Sequence, residues 1–322
     1  MNEPMAAIDL GTNTARLLIG SRLGTGIDQK LIMRRITRLG GNFTTESGIS
    51  DDARKRSLSA LKDFSIAIAG HGVKSYRAVA TSAVRDAVNG EQFCREVYKE
   101  TGISLEVIDG NTEGLLTLRG VLAGLDEVPE HLLVFDVGGG STEFTLARGS
   151  EPLFSMSLPL GVVRLTEGKS SIAAMEDKID RELLTLTEEL EGMGLLAKAR
   201  SAVVVGTAGT ATTLAAISMQ MADYDYRKVN NYCLGLEGIR SIFSKLLPLT
   251  PEERLKIPGM ERGREDLIIA GTLLTMKTLS CFRSSVLKVS DFGLLEGLLL
   301  SVCSDVNSAN CSQFGLAKVL IY

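Results

Sequence analysis

The chain alternates between two hydrophobic rhythms. Residues 5–10, 15–21 and 27–33 carry the apolar pattern of strands and are joined by short polar turns, so they read as a β-meander. Ser50 then precedes Asp51 and Asp52, which predicts a capped helix start. Leu58, Leu61, Phe64 and Ile68 follow at helical spacing until Gly70 or Gly72 stops the run. A strand at 76–80, a helix through Phe93, Val97 and Tyr98 ending at Gly102, and a strand at 104–108 come next. The pattern then restarts. A second meander is predicted at 132–137, 142–147 and 153–157, then a helix through Met175, Ile179, Leu183, Leu186 and Leu190. A strand at 203–206 runs into a Gly/Thr turn and another helix, and a late strand at Val286–Val289 enters a helix over 290–300. This repetition predicts a duplicated α/β architecture in two lobes, residues 1–128 and 129–322, divided near Pro129.

Composition narrows the class. A chain of 322 residues is long enough for two cores, and 44% apolar with 23% charged residues is ordinary for a globular protein. The net charge of −4 gives no global field for nucleic acid or an anionic membrane. A polyanionic substrate must therefore be held by local Arg, Lys and metal. No apolar run reaches membrane-spanning length. Cys94, Cys233, Cys281, Cys303 and Cys311 are scattered without a CxxC pair, and no signal peptide is seen. The expected setting is a reducing cytoplasm with mostly buried thiols. Asn42-Phe43-Thr44 matches a glycosylation sequon by chance on this reading, and the polar stretch 304–313 reads as a loose tail.

Two segments carry the candidate chemistry. Ile8-Asp9-Leu10-Gly11-Thr12-Asn13-Thr14-Ala15-Arg16-Leu17 and Phe135-Asp136-Val137-Gly138-Gly139-Gly140-Ser141-Thr142-Glu143 each read as strand, Asp, small polar turn, second strand. Two such hairpins facing each other across a cleft would grip a chain of phosphates through backbone N–H groups and hydroxyls. Asp9 and Asp136 would then stand near a metal ion. That pattern points to a two-lobed phosphotransferase or phosphohydrolase. Gly168-Lys169-Ser170 is not a P-loop, because Val163 stands where that motif needs Gly. His71 and His131 are the only histidines, which excludes a histidine-rich metal site.

Five blocks together resemble the exopolyphosphatase/guanosine-pentaphosphate phosphatase (Ppx/GppA) family, within the actin/sugar-kinase/chaperone ATPase superfamily. They are the two hairpins, the 80–89 segment with Ser82-Ala83-Val84-Arg85, the 107–114 segment with Gly110-Asn111-Thr112-Glu113, and Gly206-Thr207-Ala208-Gly209-Thr210. The resemblance implies a two-lobed actin-like fold with an interdomain cleft. It implies hydrolysis of a terminal phosphoanhydride bond in inorganic polyphosphate or at the 5′ end of pppGpp, with release of orthophosphate. Glu113 aligns with the family's catalytic glutamate and would act as general base. Glu143 would position the attacking water or hold the metal. Asp9 and Asp136 would hold Mg²⁺ (or Mn²⁺), partly through waters.

Phosphate contacts are expected from Gly11, Thr12 and Asn13 in the first turn, and from Gly138, Gly139, Gly140, Ser141 and Thr142 in the second. Arg85 matches the arginine of its block and should also contact phosphate. Arg16 either does the same or bridges the lobes. Gly209 either approaches a nucleoside or distal phosphate, or belongs to a packing turn. Arg264 and Asp266 are expected in an interdomain ion pair. Arg34, Arg35, Arg38 and the 54–56 cluster are expected on solvated faces.

Three departures accompany the resemblance. The chain resembles the short members that lack a C-terminal helical domain of HD type. Gly114 stands where the family usually has Ala, which would loosen the helix start that orients Glu113. Leu295 stands where Arg is usual. A homodimer is a family-level expectation. Two other readings stay open: an actin-fold ATPase or small-molecule kinase, and a non-catalytic sensor that binds (p)ppGpp or polyphosphate.

Overall fold

A computed structural model describes residues 3–24, 26–41, 43 and 46–307. Asn42 and Thr44 of the sequon, and Cys311 with the rest of 308–322, lie outside the described residues. The first meander is β1 (Met5–Leu10), β2 (Thr14–Leu23) and β3 (Gly26–Ile36). It is followed by α1 (Asp51–Gly70), β4 (Ser75–Ala80), α2 (Ser82–Arg85), α3 (Gly90–Thr101), β5 (Glu106–Val107) and α4 (Gly110–Gly124). The second meander is β6 (His131–Val137), β7 (Thr142–Arg148) and β8 (Glu151–Leu158). Next come α5 (Val162–Gly168), α6 (Ile172–Gly192), α7 (Leu196–Ser201), β9 (Val203–Thr207) and α8 (Ala208–Ser218). The chain continues through α9 (Tyr226–Val229), β10 (Cys233–Gly235), α10 (Leu236–Leu246), α11 (Pro251–Arg254), α12 (Ile268–Cys281), β11 (Val286–Val289) and α13 (Leu294–Asn307).

The duplication is explicit in the sheets. The first has the order β3-β2-β1-β4-β5, and the second β8-β7-β6-β9-β11 with β10 added antiparallel at the edge. In each, the central strand pairs antiparallel with its meander partner and parallel with the strand beyond. Such strands are covered on both faces, which is why β1 and β6 read as near-continuous apolar runs. The architecture is the two-lobed actin-like fold.

Helix ends follow local chemistry. Ser50 caps α1 by accepting from the Ala53 N–H, with Asp51 and Asp52 in the first turn. Gly102 ends α3 in the left-handed conformation at φ 72°. Tyr98 points away from the core and is 62% exposed, so the apolar face of α3 is Phe93 and Val97. The strand expected at 104–108 shrinks to the two exposed residues of β5, because a sheet edge offers only one neighbour. None of the described thiols is fully buried: Cys94 and Cys281 are half-buried and Cys233 is exposed on the edge strand β10.

Packing cuts across the expected division of 1–128 and 129–322. Helix α13 returns to the first sheet, where Leu294, Leu295, Leu298 and Leu299 join Ala7, Leu18 and Val79 in one core. Helix α4 goes the other way: Leu118 and Val121 pack with Leu132, Val134 and Val205 of the second sheet. The two helices cross where Gly120 and Gly297 let the backbones meet. Apolar periodicity shows which face of a helix is buried but not which sheet buries it. Of the polar stretch 304–313, residues 304–307 continue α13, and 308–313 lie outside the described residues.

Candidate functional site

The two hairpin turns are copies of one design. The Gly11 N–H donates to the Thr14 carbonyl at 3.0 Å, and the Gly138 N–H donates to the Ser141 carbonyl at 3.0 Å. The turns meet at the base of the cleft. A Cβ added at Gly139 would fall 2.8 Å from Thr12 Cβ, and one at Gly140 would strike Ser82 Oγ. Only glycine allows backbone to approach this closely. Thr12 Oγ1 and Ser82 Oγ lie 2.9 Å apart.

Between the turns is a cavity of about 70 Å³. Among its lining residues are eleven expected in the site: Asp9, Gly11, Thr12, Asn13, Arg16, Glu113, Asp136, Gly138, Gly139, Ser141 and Gly209. Four others take different places. Gly140 packs against Ser82. Thr142 is buried and donates its hydroxyl to the Leu160 carbonyl, which ties the hairpin to the loop after β8. Arg85 stands behind Glu113: its Nη1 donates to the Ile108 carbonyl at 3.0 Å and lies 3.7 Å from Glu113 Oε2. It does not line the cavity, and its contact in this structure is with the glutamate. Glu143 is also just behind the lining, and its Oε1 accepts from Ser157 Oγ at 2.7 Å.

Glu113 sits in the first turn of α4, where Asp109 caps the helix by accepting from the Thr112 N–H at 2.7 Å. A helix start ordinarily favours a carboxylate. Here burial comes first, and Glu143, Asp136 and Asp9 add repulsion, so the Glu113 pKa is pushed well above the carboxylate range; Arg85 opposes this. Burial also raises Asp136 to about 6, with Asp9 adding to it while Arg16 opposes it. Glu143 rises to about 7 through burial and Asp136. Glu113 Oε2 and Glu143 Oε2 are buried without a hydrogen-bond partner.

Gly114 has a structural reason. An alanine methyl there would fall 2.7 Å from Ser155 Oγ and 2.8 Å from Thr145 Oγ1. The glycine lets α4 seat on those β7 and β8 hydroxyls, so the helix start is packed and not loosened.

Arginines supply the opposite charge. Arg16 pairs with Asp9, Nη2 to Oδ2 at 2.6 Å, within the first lobe, so it does not bridge the lobes through that contact. Arg264 is the main residue the sequence reading left out of the site. Its guanidinium lies against Gly209 and lines the cavity. Its Nε is buried without a hydrogen-bond partner. The interlobe ion pair expected for this segment is made by Asp266 instead, with Arg38 at 2.8 Å. Arg34 also leaves the solvated face: it pairs with Glu261 across the lobes and keeps a buried, unpartnered Nη2. Burial, then the neighbouring arginines, push Arg34 down to about 9 and Arg264 to about 10.

Arg16, Ala208, Gly209 and Arg264 also line a second chamber of about 330 Å³, which adds Arg34, Tyr224, Tyr226, Asp291 and Glu296. The start of α8 opens onto both spaces without a side-chain cap, and Ala208 there is held at φ 62°. Such a helix start is suited to an anion. Strained backbone is a common property of binding sites. Thr81 and Ser82 line the first cavity as well. Both stand in the 80–89 block with Arg85.

A duplicated actin-like fold with two phosphate-type hairpins at an interlobe cleft defines a class of phosphoryl-handling proteins. The Ppx/GppA phosphatase family model matches residues 29–305, and the chain belongs to that family. It is 31% identical to Exopolyphosphatase 2 of Mycobacterium tuberculosis, over 92% of this chain and 98% of that protein. It is 30% identical to a bifunctional 3-dehydroquinate synthase/phosphatase of Fusobacterium nucleatum, over 92% of this chain but only 46% of that longer protein. A crystal structure of an exopolyphosphatase from Cytophaga hutchinsonii superposes with a TM-score of 0.86 at 28% identity, covering 94% of this chain and 98% of that one. The Aquifex aeolicus PPX-GPPA enzyme gives 0.76 at 32% identity, covering 94% and 100%. Among the described residues, no helix is long and apolar enough to cross a membrane.

Proposed function

We propose that the protein is a Mg²⁺-dependent phosphohydrolase that removes the terminal phosphate of inorganic polyphosphate or the 5′ end of pppGpp, releasing orthophosphate. One observation carries this reading. Arg16 and Arg264 line the same small cavity as the carboxylates Asp9, Asp136 and Glu113, and Arg34 extends the cationic lining into the adjoining chamber. The two arginines with lowered pKa values repel each other, and a bound polyanion relieves that repulsion.

The carboxylates fit a cation on the other side. Among the described residues, no three acidic, histidine or cysteine side chains form a ready-made metal cage. Mg²⁺ does not require one, because it binds through one or two carboxylates, waters and substrate phosphate. Asp9 and Asp136 are the ligands we assign, with the unpartnered oxygen of Glu143 within the same carboxylate group. When bound, the ion neutralises phosphoryl oxygens and lowers the pKa values of the carboxylates around it.

The chain's own groups then divide the work. N–H groups of the two turns and the start of α8 hold phosphate oxygens. Glu113 takes a proton from water as the water oxygen attacks the terminal phosphorus. The bridging P–O bond breaks, and the leaving oxygen departs as a phosphate anion on the arginine side. Contact between the hairpins excludes bulk water from this step.

The second chamber favours a nucleoside-bearing substrate as an alternative to long polyphosphate. Tyr224 and Tyr226 put aromatic side chains in its lining, and Asp291 and Glu296 are acidic groups that suit a base better than a phosphate chain. The setting we infer is a reducing compartment such as the cytoplasm, consistent with the free Cys94, Cys233 and Cys281 thiols.

The test is orthophosphate release from short polyphosphate, long polyphosphate, pppGpp and ATP, with and without Mg²⁺. Release from polyphosphate or pppGpp should fall by about two to four orders of magnitude in Glu113→Gln with substrate binding retained. Near-normal turnover in that variant removes Glu113 as base. Tight binding without any release by the native protein turns the reading into a sensor, and turnover of ATP alone turns it into an ATPase.

A further inference from the structure

Arg85 is part of a chain of charges that starts on the opposite lobe. Asp86 follows directly at the end of α2, and its Oδ1 lies 3.5 Å from Arg85 Nε. Its other oxygen, Oδ2, accepts from Arg164 Nη2 at 2.5 Å. Arg164 belongs to α5 in the second lobe, and α5 is anchored to the second hairpin turn. The Val162 N–H donates to the Gly138 carbonyl at 3.0 Å, and the Val163 N–H to the Gly139 carbonyl at 2.9 Å. Wherever the second hairpin goes, Arg164 goes with it. On the first-lobe side, its guanidinium lies 5.7 Å from the centre of the Phe43 ring.

We propose that Asp86 is a positioning residue that couples closure of the second hairpin to the orientation of Glu113, through Arg164 on one side and Arg85 on the other. With the lobes apart, Asp86 has Arg85 as its one cationic partner and draws it away from the glutamate. With the lobes closed, Arg164 shares Asp86, which weakens its hold on Arg85, and Arg85, still 3.5 Å from Asp86 Oδ1, also lies against Glu113, 3.7 Å from Oε2. The general base is then held in place only when the turn that carries phosphate contacts is home.

The burial gradient fits a relay better than a stabilising pair. Side-chain exposure is 34% at Arg164, 33% at Asp86, 26% at Arg85 and 10% at Glu113. Pairs this exposed contribute little to stability. None of Arg164, Asp86 and Arg85 lines the cavity, so the chain acts through Glu113 and not through substrate contact.

The inference rests on the phosphohydrolase reading, and the experiment separates the two. Steady-state orthophosphate release is measured, with Mg²⁺ and the polyphosphate or pppGpp substrate that the native protein hydrolyses, for Asp86→Asn, Arg164→Gln, the double variant and Asp86→Glu. Each single variant should lose about tenfold in kcat, a loss typical of a modestly misplaced catalytic group, with KM nearly unchanged. The double variant should be no slower than Asp86→Asn, because Arg164 acts through Asp86. Asp86→Glu should recover part of kcat. Full kcat in Asp86→Asn, a rise in KM alone, or losses that multiply in the double variant would each overturn the relay while leaving the phosphohydrolase intact. A native protein silent on every substrate would overturn both.

Discussion

The two hairpins share a backbone design and differ in what stands across the ladder from the aspartate. In the first, Asp9 stands opposite Arg16; in the second, Asp136 stands opposite Glu143. The first position is therefore self-neutralised by an ion pair at 2.6 Å. The second places two buried carboxylates side by side, and burial raises both pKa values, with Asp9 adding to the rise at Asp136 and Asp136 to the rise at Glu143. A duplicated scaffold has thus been divided in function. On the proposed function, one turn presents a fixed cation to the substrate. The other presents a negative site that favours a proton or a metal ion, beside Glu113, the base we propose.

Breaking the second hairpin should cost most. Glu143→Gln should lower kcat by about a hundredfold with little change in KM, measured by steady-state phosphate release. Breaking the first acts on binding instead. Arg16→Gln removes a cation that lines both chambers and leaves Asp9 unpaired, so KM should rise about tenfold with a smaller change in kcat. The turns themselves should respond unequally to one methyl group. Gly139→Ala forces the hairpins apart and should cost about fivefold in kcat/KM. Gly11→Ala meets its nearest neighbour, the Thr14 carbonyl, at 3.3 Å and should cost less.

The smallest effect is on stability. The folded protein holds protons on Asp136 and Glu143 up to about 6 and about 7, above the ordinary carboxylate values of 3.8 and 4.5. Between those values the folded state binds more protons than the unfolded chain, so stability falls as pH rises through that window. Metal-free protein should therefore melt lower at pH 8 than at pH 5. Glu143→Gln should flatten the profile and melt roughly 2–6 °C higher than the native chain at pH 8. Added Mg²⁺ should narrow the gap. A native melting curve that rises from pH 5 to 8 without metal would contradict the like-charge pair.

Much of this was legible in the chain. Asp9, Asp136 and both turns announce themselves through strand–Asp–small-residue patterns, and Glu113 through its block. The meanders were legible because strand patterns and turn residues are local signals. Residues whose role depends on what comes to meet them were not. Arg34 and Arg35 are neighbours on one strand, yet one lines a chamber and the other pairs at the surface with Asp63. The distinction is made by the opposite lobe. Arg264 was misplaced for a similar reason: its sequence neighbour Asp266 takes the interlobe pair. The exchange of α4 and α13 between the sheets is equally silent, since either sheet would satisfy the apolar face of either helix.

The most direct test of the central claim is a turnover experiment in ¹⁸O-labelled water with Mg²⁺ and polyphosphate or pppGpp, following the label into orthophosphate. The account predicts one labelled oxygen per phosphate released, with the rate of labelling collapsing in Glu113→Gln. Unlabelled orthophosphate, or phosphate passed to another acceptor with no label taken up, would show that water does not attack the terminal phosphorus at this site.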